Sequence, residues 1–358
     1  MAPAVTPRDG AATPVWTAGF APVKVEDAES TLTARWREIV ATSPGSPTAR
    51  SLTLNLVTYV DRPEASGEVS QILADIAGTH SIRAVTVIED ATAEEESPQA
   101  FIRPGDGVDT ANFSEEVFVR VNPRASASAT SAVLALLAAD LPVYLWWRGD
   151  SPFGKPLFRM VAPLMKKIVV DSMRFGDTNA ALDTLRRLTE HRAGHVAVAD
   201  LNWKRIKPWR SAIAACFDDP AVLALLGTFD KCCIEFAADP DEPDAQHKIA
   251  RATLIAGWLA CCIPKLHGRV RPAPVAIAGA RPGRIASLVF QTARSQAALT
   301  LTRQDNPRCI IAEARDAGGT RIRSWTFPAT KLAEAELLHR SIDDPARDPM
   351  LEAALAEG

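Results

Sequence analysis

Between residues 51 and 200 the chain alternates short, β-branched apolar runs with longer stretches of helical periodicity. SLTLNLVTYV (51–60), SIRAVTVIED (81–90), EEVFVRVN (115–122), LPVYLWW (141–147), KKIVVDS (166–172) and HVAVAD (195–200) read as strands. EVSQILADIAGTH (68–80), SASATSAVLALLAAD (126–140) and TNAALDTLRRLTEHR (178–192) read as helices, the second started and capped by its serines. Strands that are nearly continuous apolar runs leave no face for water, so both faces need a covering of helices. That is the requirement of a mainly parallel, three-layer α/β sheet.

From about residue 201 the pattern changes. DLNWKRIKPWRSAIAACFDD reads as a turn and a helix started by Pro208, DKCCIEFAA (230–238) as a strand, and AQHKIARATLIAGWLACCI (245–263) as a long helix. VAIAG, RIASLVFQTA, QAALTLTRQ, RCIIAEARD and TRIRSWTF then follow as strands, separated by the turn signals RPG, QDNP and AGG. This is the signature of an antiparallel β-meander packed on the 245–263 helix, with KLAEAELLHRSI (331–342) as a terminal helix. The expected organisation is a flexible N-terminal arm over 1–25, a parallel α/β domain over 26–200 and an α+β domain over 201–358.

Composition narrows the partners. With 40 Lys+Arg against 43 Asp+Glu the net charge is -3, which supplies no basic surface for nucleic acid or an anionic membrane. The longest apolar stretch, SAVLALLAADLPVYLWW, is broken by Asp140 and Pro142 and is too short to span a bilayer. The N-terminus has no apolar core of a secretory signal, and six cysteines, two pairs of them adjacent, do not form a disulfide framework. A cytoplasmic protein is expected.

Catalytic motifs are missing from the sequence. The first strand-to-helix turn, DRPEASGE, has one glycine where a dinucleotide fingerprint needs three, and there is no phosphate-binding loop, H-E-x-x-H or G-x-S-x-G. The six histidines read as surface or loop residues. Adjacent cysteines diverge in direction, so Cys232 with Cys233 and Cys261 with Cys262 read as packing, not as metal ligands. No metal site and no catalytic residue is expected.

In a parallel sheet, ligands bind beyond the carboxyl ends of the strands. The strand ends here carry Trp146, Trp147, Arg148 and Asp150, then Asp171 and Ser172, then Asp200 with Trp203, Arg205, Trp209 and Arg210 just after it. Each tryptophan could pack the core or anchor an interface. Arg148 and Arg210 could stack on tryptophan and pair with Asp171 or Asp200, facing either a partner or the fold itself. Arg124, Ser126 and Ser128 lie at a helix N-terminus, where they could hold an anion or simply cap the helix.

LPVYLWWRGD and DLNWKRIKPWR, with KKIVVDSMRF between them, resemble the OpcA family of glucose-6-phosphate dehydrogenase assembly proteins, over about residues 45–340. The resemblance implies a non-catalytic cytoplasmic protein that carries no cofactor. It implies binding of glucose-6-phosphate dehydrogenase and promotion of its active oligomer, as an activator supporting the oxidative pentose phosphate pathway. Its matching positions are Trp146, Trp147, Arg148, Gly149, Asp150, Asp171, Ser172, Asp200, Trp203, Arg205, Trp209 and Arg210. Cyanobacterial members are linked to thioredoxin-dependent control, which the adjacent cysteine pairs here put in question. The alternative from the residues alone is an α/β enzyme or sensor that binds a sugar phosphate or nucleotide through Arg124, Ser126, Arg148 and Ser172.

Overall fold

The computed structural model describes residues 14–15, 20–42, 52–93, 98–103, 114–175, 178–191, 196–238, 249–277, 279–305 and 308–357. In chain order its elements are β1 (Ala21–Val23), α1 (Ala28–Thr42), β2 (Leu54–Val60), α2 (Ser66–Ala77), β3 (Ile82–Glu89), β4 (Gln99–Ile102) and β5 (Glu115–Val121). There follow α3 (Ser126–Leu136), β6 (Val143–Arg148), α4 (Pro156–Val161), β7 (Lys167–Val170), α5 (Thr178–His191), β8 (Ala197–Asp200), α6 (Leu201–Arg205), α7 (Lys207–Phe217) and α8 (Pro220–Leu226). The chain ends with β9 (Lys231–Ala237), α9 (Ala250–Cys262), β10 (Val270–Val275), β11 (Ile285–Gln291), β12 (Ala298–Asp305), β13 (Arg308–Arg315), β14 (Arg321–Pro328), α10 (Glu334–Asp343) and α11 (Pro349–Glu357).

Two units share these elements: Met1–Val170, His195–Ala197 and Glu334–Pro345 form the first, and Asp171–Gly194, Val198–Ala333 and Ala346–Gly358 the second. The cut at residue 200 suggested by the sequence therefore divides the chain differently. The apolar face of α5 (Ala181, Leu185, Leu188) belongs with α9 and α11, so α5 sits in the second unit. The apolar face of α10 (Leu337, Leu338, Ile342) packs on α2, so α10 returns to the first.

The sheet of the first unit runs β1-β4-β5-β3-β2-β6-β7, and the backbone N–H of Ala197, the first residue of β8, donates to the Lys166 carbonyl at 3.0 Å. β5, β3, β2, β6 and β7 pair in parallel. Every residue of β2 is buried, as is all of β3 except Glu89, as expected for strands covered on both faces. Buried Asn55 pays for its polarity with two hydrogen bonds: its side chain donates to the Ala138 carbonyl at 2.9 Å and accepts from the Ala138 N–H at 2.8 Å. This fixes the chain just before β6.

Two short antiparallel strands depart from the sequence reading. β4 falls at the end of what read as a polar loop, and β1 falls inside the expected flexible arm. Ala21 pairs with Ile102, and the Phe20 ring meets Phe118 edge-on with centroids 5.1 Å apart. Strands of three and four residues are too brief to show a period of two. Residues 1–13 and 16–19 of the arm and 94–97 of the loop lie outside the described residues. The N-cap position of α3 is Ala125, which has no polar side chain to cap with, and just before it Asn122 accepts from the Arg124 N–H at 3.0 Å.

In the second unit the strand order is β10-β9-β11-β12-β13-β14. β11 to β14 form the antiparallel meander, with β9 antiparallel to β11. The expected VAIAG strand is replaced by β10, which runs parallel to β9 at the edge. Pro272 and Pro274 within β10 explain the place: a strand lacking those N–H donors is tolerated at an edge. α9 packs over β9 and β10, as the sequence suggests, and α11 packs on α9. Residues 245–248 of the expected helix lie outside the described residues.

Candidate functional site

In the first unit the chain passes from β2 to β3 and β5 on one side, then begins again on the other side with β6 and β7. The switch point of this sheet is therefore the gap between β2 and β6, where a fold of this class opens a crevice for a ligand. Here the two strand ends are in contact. Tyr59 and Trp147, partners in register, stack with ring centroids 3.7 Å apart. Phe158 meets the Trp147 ring edge-on at 5.4 Å. The Asp150 N–H donates to Asp61 across the gap at 3.0 Å, and the Trp147 indole donates to the Asp150 carbonyl at 2.6 Å.

Gly149 makes this closure sterically possible. A Cβ on it would lie 2.7 Å from Tyr59 Cε1, closer than side-chain atoms sit, and a tight 3.0 Å from Asp61 Oδ2. Lys155 pairs with Glu89 at 2.7 Å, its ammonium 5.7 Å from the Tyr59 ring centroid. Burial, followed by the Glu89 carboxylate, raises the Tyr59 phenol above its ordinary pKa.

Arg148 is buried, 2% exposed, between two carboxylates. It donates to Glu334 at 3.1 and 3.3 Å, and to Glu68. Burial disfavours its charge, but Glu334 and Glu68 together hold the guanidinium above its ordinary pKa. The expected partners Asp171 and Asp200 are thus replaced by glutamates from α2 and α10. Glu68 lies in the first turn of α2, so the helix end that could attract a phosphate already carries a negative charge.

The second unit gathers the remaining strand-end residues into a network of its own. Arg205 grips Asp171 with two hydrogen bonds of 2.6 and 2.8 Å. Burial opposes the Asp171 charge, but Arg205 lowers its pKa below the ordinary carboxylate value. Asp200 caps α6 by accepting from the N–H groups of Asn202 and Trp203, and it also accepts from the N–H and hydroxyl of Ser172. Arg251 donates to Asn202 at 2.8 Å, and burial pulls its pKa down to about 10. Arg210 lies with its guanidinium 3.6 Å from the Trp203 ring centroid, while the Trp203 indole donates to Asp348 at 2.7 Å.

Within each unit, taken separately, the candidate residues lie at or just after strand ends, and most are buried. Trp146, Trp147, Arg148, Asp171, Ser172, Asp200, Trp203 and Trp209 are all buried, Arg205 and Arg210 are partly exposed, and Asp150 is exposed. Arg124 and Ser128 are exposed at the start of α3, and the Ser126 side chain lies outside the description. All six cysteines are unpaired. Burial pushes the Cys216 thiol up to about 12 and also raises Cys232, Cys233 and Cys262, so these four resist forming the reactive thiolate.

Glu68, Asn202, Arg251 and Glu334 escaped the sequence reading. Only Glu68 left a signal, as an acid in the first turn of a helix after a strand. Two of the histidines, His80 and His339, meet, with His80 Nε2 and His339 Nδ1 2.9 Å apart. Among the described residues no helix is long and apolar enough to cross a membrane.

Comparison with known proteins agrees with the strand-end motifs. Residues 73–187 match the family domain described as the glucose-6-phosphate dehydrogenase subunit N-terminal domain, and residues 196–355 its C-terminal domain. The chain is 35% identical over 126 residues to the OxPP cycle protein OpcA of Nostoc punctiforme, covering 35% of this chain and 25% of that protein. It is 30% identical over 128 residues to the protein of the same name from Synechocystis sp., covering 36% and 25%. The matches thus span about a quarter of the length of these curated relatives. Among solved structures it is similar to glucose-6-phosphate 1-dehydrogenase from Mycobacterium avium at 11% identity and a TM-score of 0.48, covering 86% of this chain and 90% of that one. By the two domain matches, which together take in most of its length, the chain belongs to the OpcA family.

Proposed function

We propose that this protein is a non-catalytic, cytoplasmic partner of glucose-6-phosphate dehydrogenase that promotes the enzyme's active oligomer and so supports the oxidative pentose phosphate pathway. The observation that carries this reading is the closed switch point. A crevice for a dinucleotide needs parted strand ends, a glycine-rich turn and a helix N-terminus free for phosphate. This chain has Tyr59 stacked on Trp147, one glycine in the turn and Glu68 at the helix start. A fold closed at that place retains its shape and surface as its means of action.

The buried strand-end residues act from within, by making the loops after β2, β6 and β8 rigid. For the contact itself, the exposed large apolar side chains of the first unit are better suited: Leu134 on α3, Met160 on α4 and Leu164 just after it. α3 and α4 pack on each other. The test is to mix the purified protein with its cognate dehydrogenase and measure oligomer mass by light scattering together with turnover. The expected result is a heavier, more active enzyme and no turnover by this protein alone. Unchanged mass and turnover of the enzyme would refute the proposal.

A further inference from the structure

We propose that His80, His339 and Asp343 form a binding site for one divalent transition-metal ion of the zinc type, fastening α10 to the end of α2. The three residues lie in the first unit but come from distant parts of the chain. His80 sits in the turn that ends α2, its backbone N–H donating to the Ile76 carbonyl at 3.0 Å. His339 and Asp343 are four residues apart on α10 and so share one helix face.

The distances suit a metal. His80 Nε2 is 2.9 Å from His339 Nδ1 and 3.3 Å from Asp343 Oδ1, and His339 Nε2 is 3.4 Å from Asp343 Oδ2. One ligand atom from each residue can be chosen so that all three lie within 4.8 Å of one another. Ligands bonded at about 2.0–2.1 Å to a tetrahedral ion stand roughly 3.3 Å apart, so small side-chain rotations bring these atoms into place. Hydrogen bonds alone would also join the three groups, but two imidazoles facing one another share a single proton, whereas a metal uses a lone pair from each.

The donor set selects the ion. Two imidazole nitrogens and one carboxylate suit Zn²⁺ or a neighbouring transition metal, while Mg²⁺ and Ca²⁺ prefer oxygen alone. The side chains of His80, His339 and Asp343 are 17%, 28% and 51% exposed, so the site opens toward solvent on the Asp343 side, leaving room for water as a fourth ligand. The role is structural: the ion would add a coordinate link to a helix otherwise seated by Leu337, Leu338 and Ile342.

The experiment uses the full chain stripped with a chelator and titrated with ZnCl₂, and separately with CoCl₂ as a spectroscopic probe. The expected result is saturable binding of one equivalent at this site, a higher melting temperature, and visible Co²⁺ bands without thiolate charge transfer. MgCl₂ should raise the melting temperature by nothing measurable. His80→Gln and His339→Gln should each abolish the metal-dependent rise while melting, metal-free, close to the wild type. Asp343→Asn serves as a milder variant should either of these fail to fold, and should weaken binding several-fold. Absence of saturable binding, binding that persists in the histidine variants, or a thiolate band placing the ion on cysteine would overturn the proposal.

Discussion

Tyr59 on β2 and Trp147 on β6 are register partners whose rings stack 3.7 Å apart and within 10° of parallel. The pair spans the switch point of the sheet and is completely buried. Trp147→Ala is expected to destabilise the protein by about 3–5 kcal/mol through loss of the ring and the cavity left behind. Gly149→Ala should cost about 1–3 kcal/mol, because its new methyl meets Tyr59. Chemical denaturation of both variants checks the pair, and wild-type stability in Gly149→Ala would mean that the strand ends are looser than described.

Arg148 should behave as a structural residue. Arg148→Ala removes a guanidinium that is buried between Glu334 and Glu68, together with its hydrogen bonds to both, and the expected loss is about 3–5 kcal/mol. Arg148→Met with Glu334→Gln should recover a substantial part of that loss, since it also removes the Glu334 charge. A double-mutant cycle by urea denaturation measures this. Full stability of Arg148→Ala combined with weaker dehydrogenase activation would instead make it a contact residue.

Glu116 provides a test by pH. One carboxylate oxygen faces Arg103, the other is buried without a hydrogen-bond partner, and burial pushes its pKa from 4.5 up to about 7. The folded value lies above the unfolded one, so this group's contribution to stability is full below about 4.5 and is lost as pH rises through about 7. Its expected size is about 3 kcal/mol. Stability measured from pH 5 to pH 8 should fall less in Glu116→Gln than in the wild type, and parallel curves for the two proteins would rule this out.

Met160, 60% exposed on α4, is the most accessible of the large apolar side chains proposed for contact with the dehydrogenase. Met160→Glu should reduce activation several-fold while changing stability by no more than about 0.5 kcal/mol, as is usual at the surface. Titrating the variant into the enzyme and following turnover gives the answer. Undiminished activation would move the contact elsewhere.

The sequence revealed those parts of the fold whose burial is set locally. β2, β3, β5 and β6 are buried on both faces and are visible as runs rich in apolar residues, and the meander shows as strands between turn signals. β1 and β4 are held by pairing more than by their own pattern, and β10 is masked by two prolines. The same distinction governs the strand-end residues. Trp147 and Arg148 stand out in LPVYLWWRGD, but the partners of Arg148 lie 80 and 186 positions away, and nothing in the local spacing points to either. Asp171 and Asp200 were legible as charges at strand ends, while the choice of Arg205 for one and of the α6 N–H groups for the other depended on how the following helix turned.

The return of Glu334–Pro345 to the first unit sets a schedule for the chain as it leaves the ribosome. When Val170 has emerged, the sheet that contains β2 and β6 has all its central strands, but Arg148 has only Glu68 beside it, and α2 still shows the apolar surface that α10 will cover. At about 5–20 residues per second, the wait for residue 334 lasts roughly 10 to 30 s. During that interval most of the second unit, all but its last segment Ala346–Gly358, is synthesised beside an unfinished first one. A nascent chain of this kind is an expected client for chaperones, and early termination anywhere before α10 yields a first unit that lacks its own last piece.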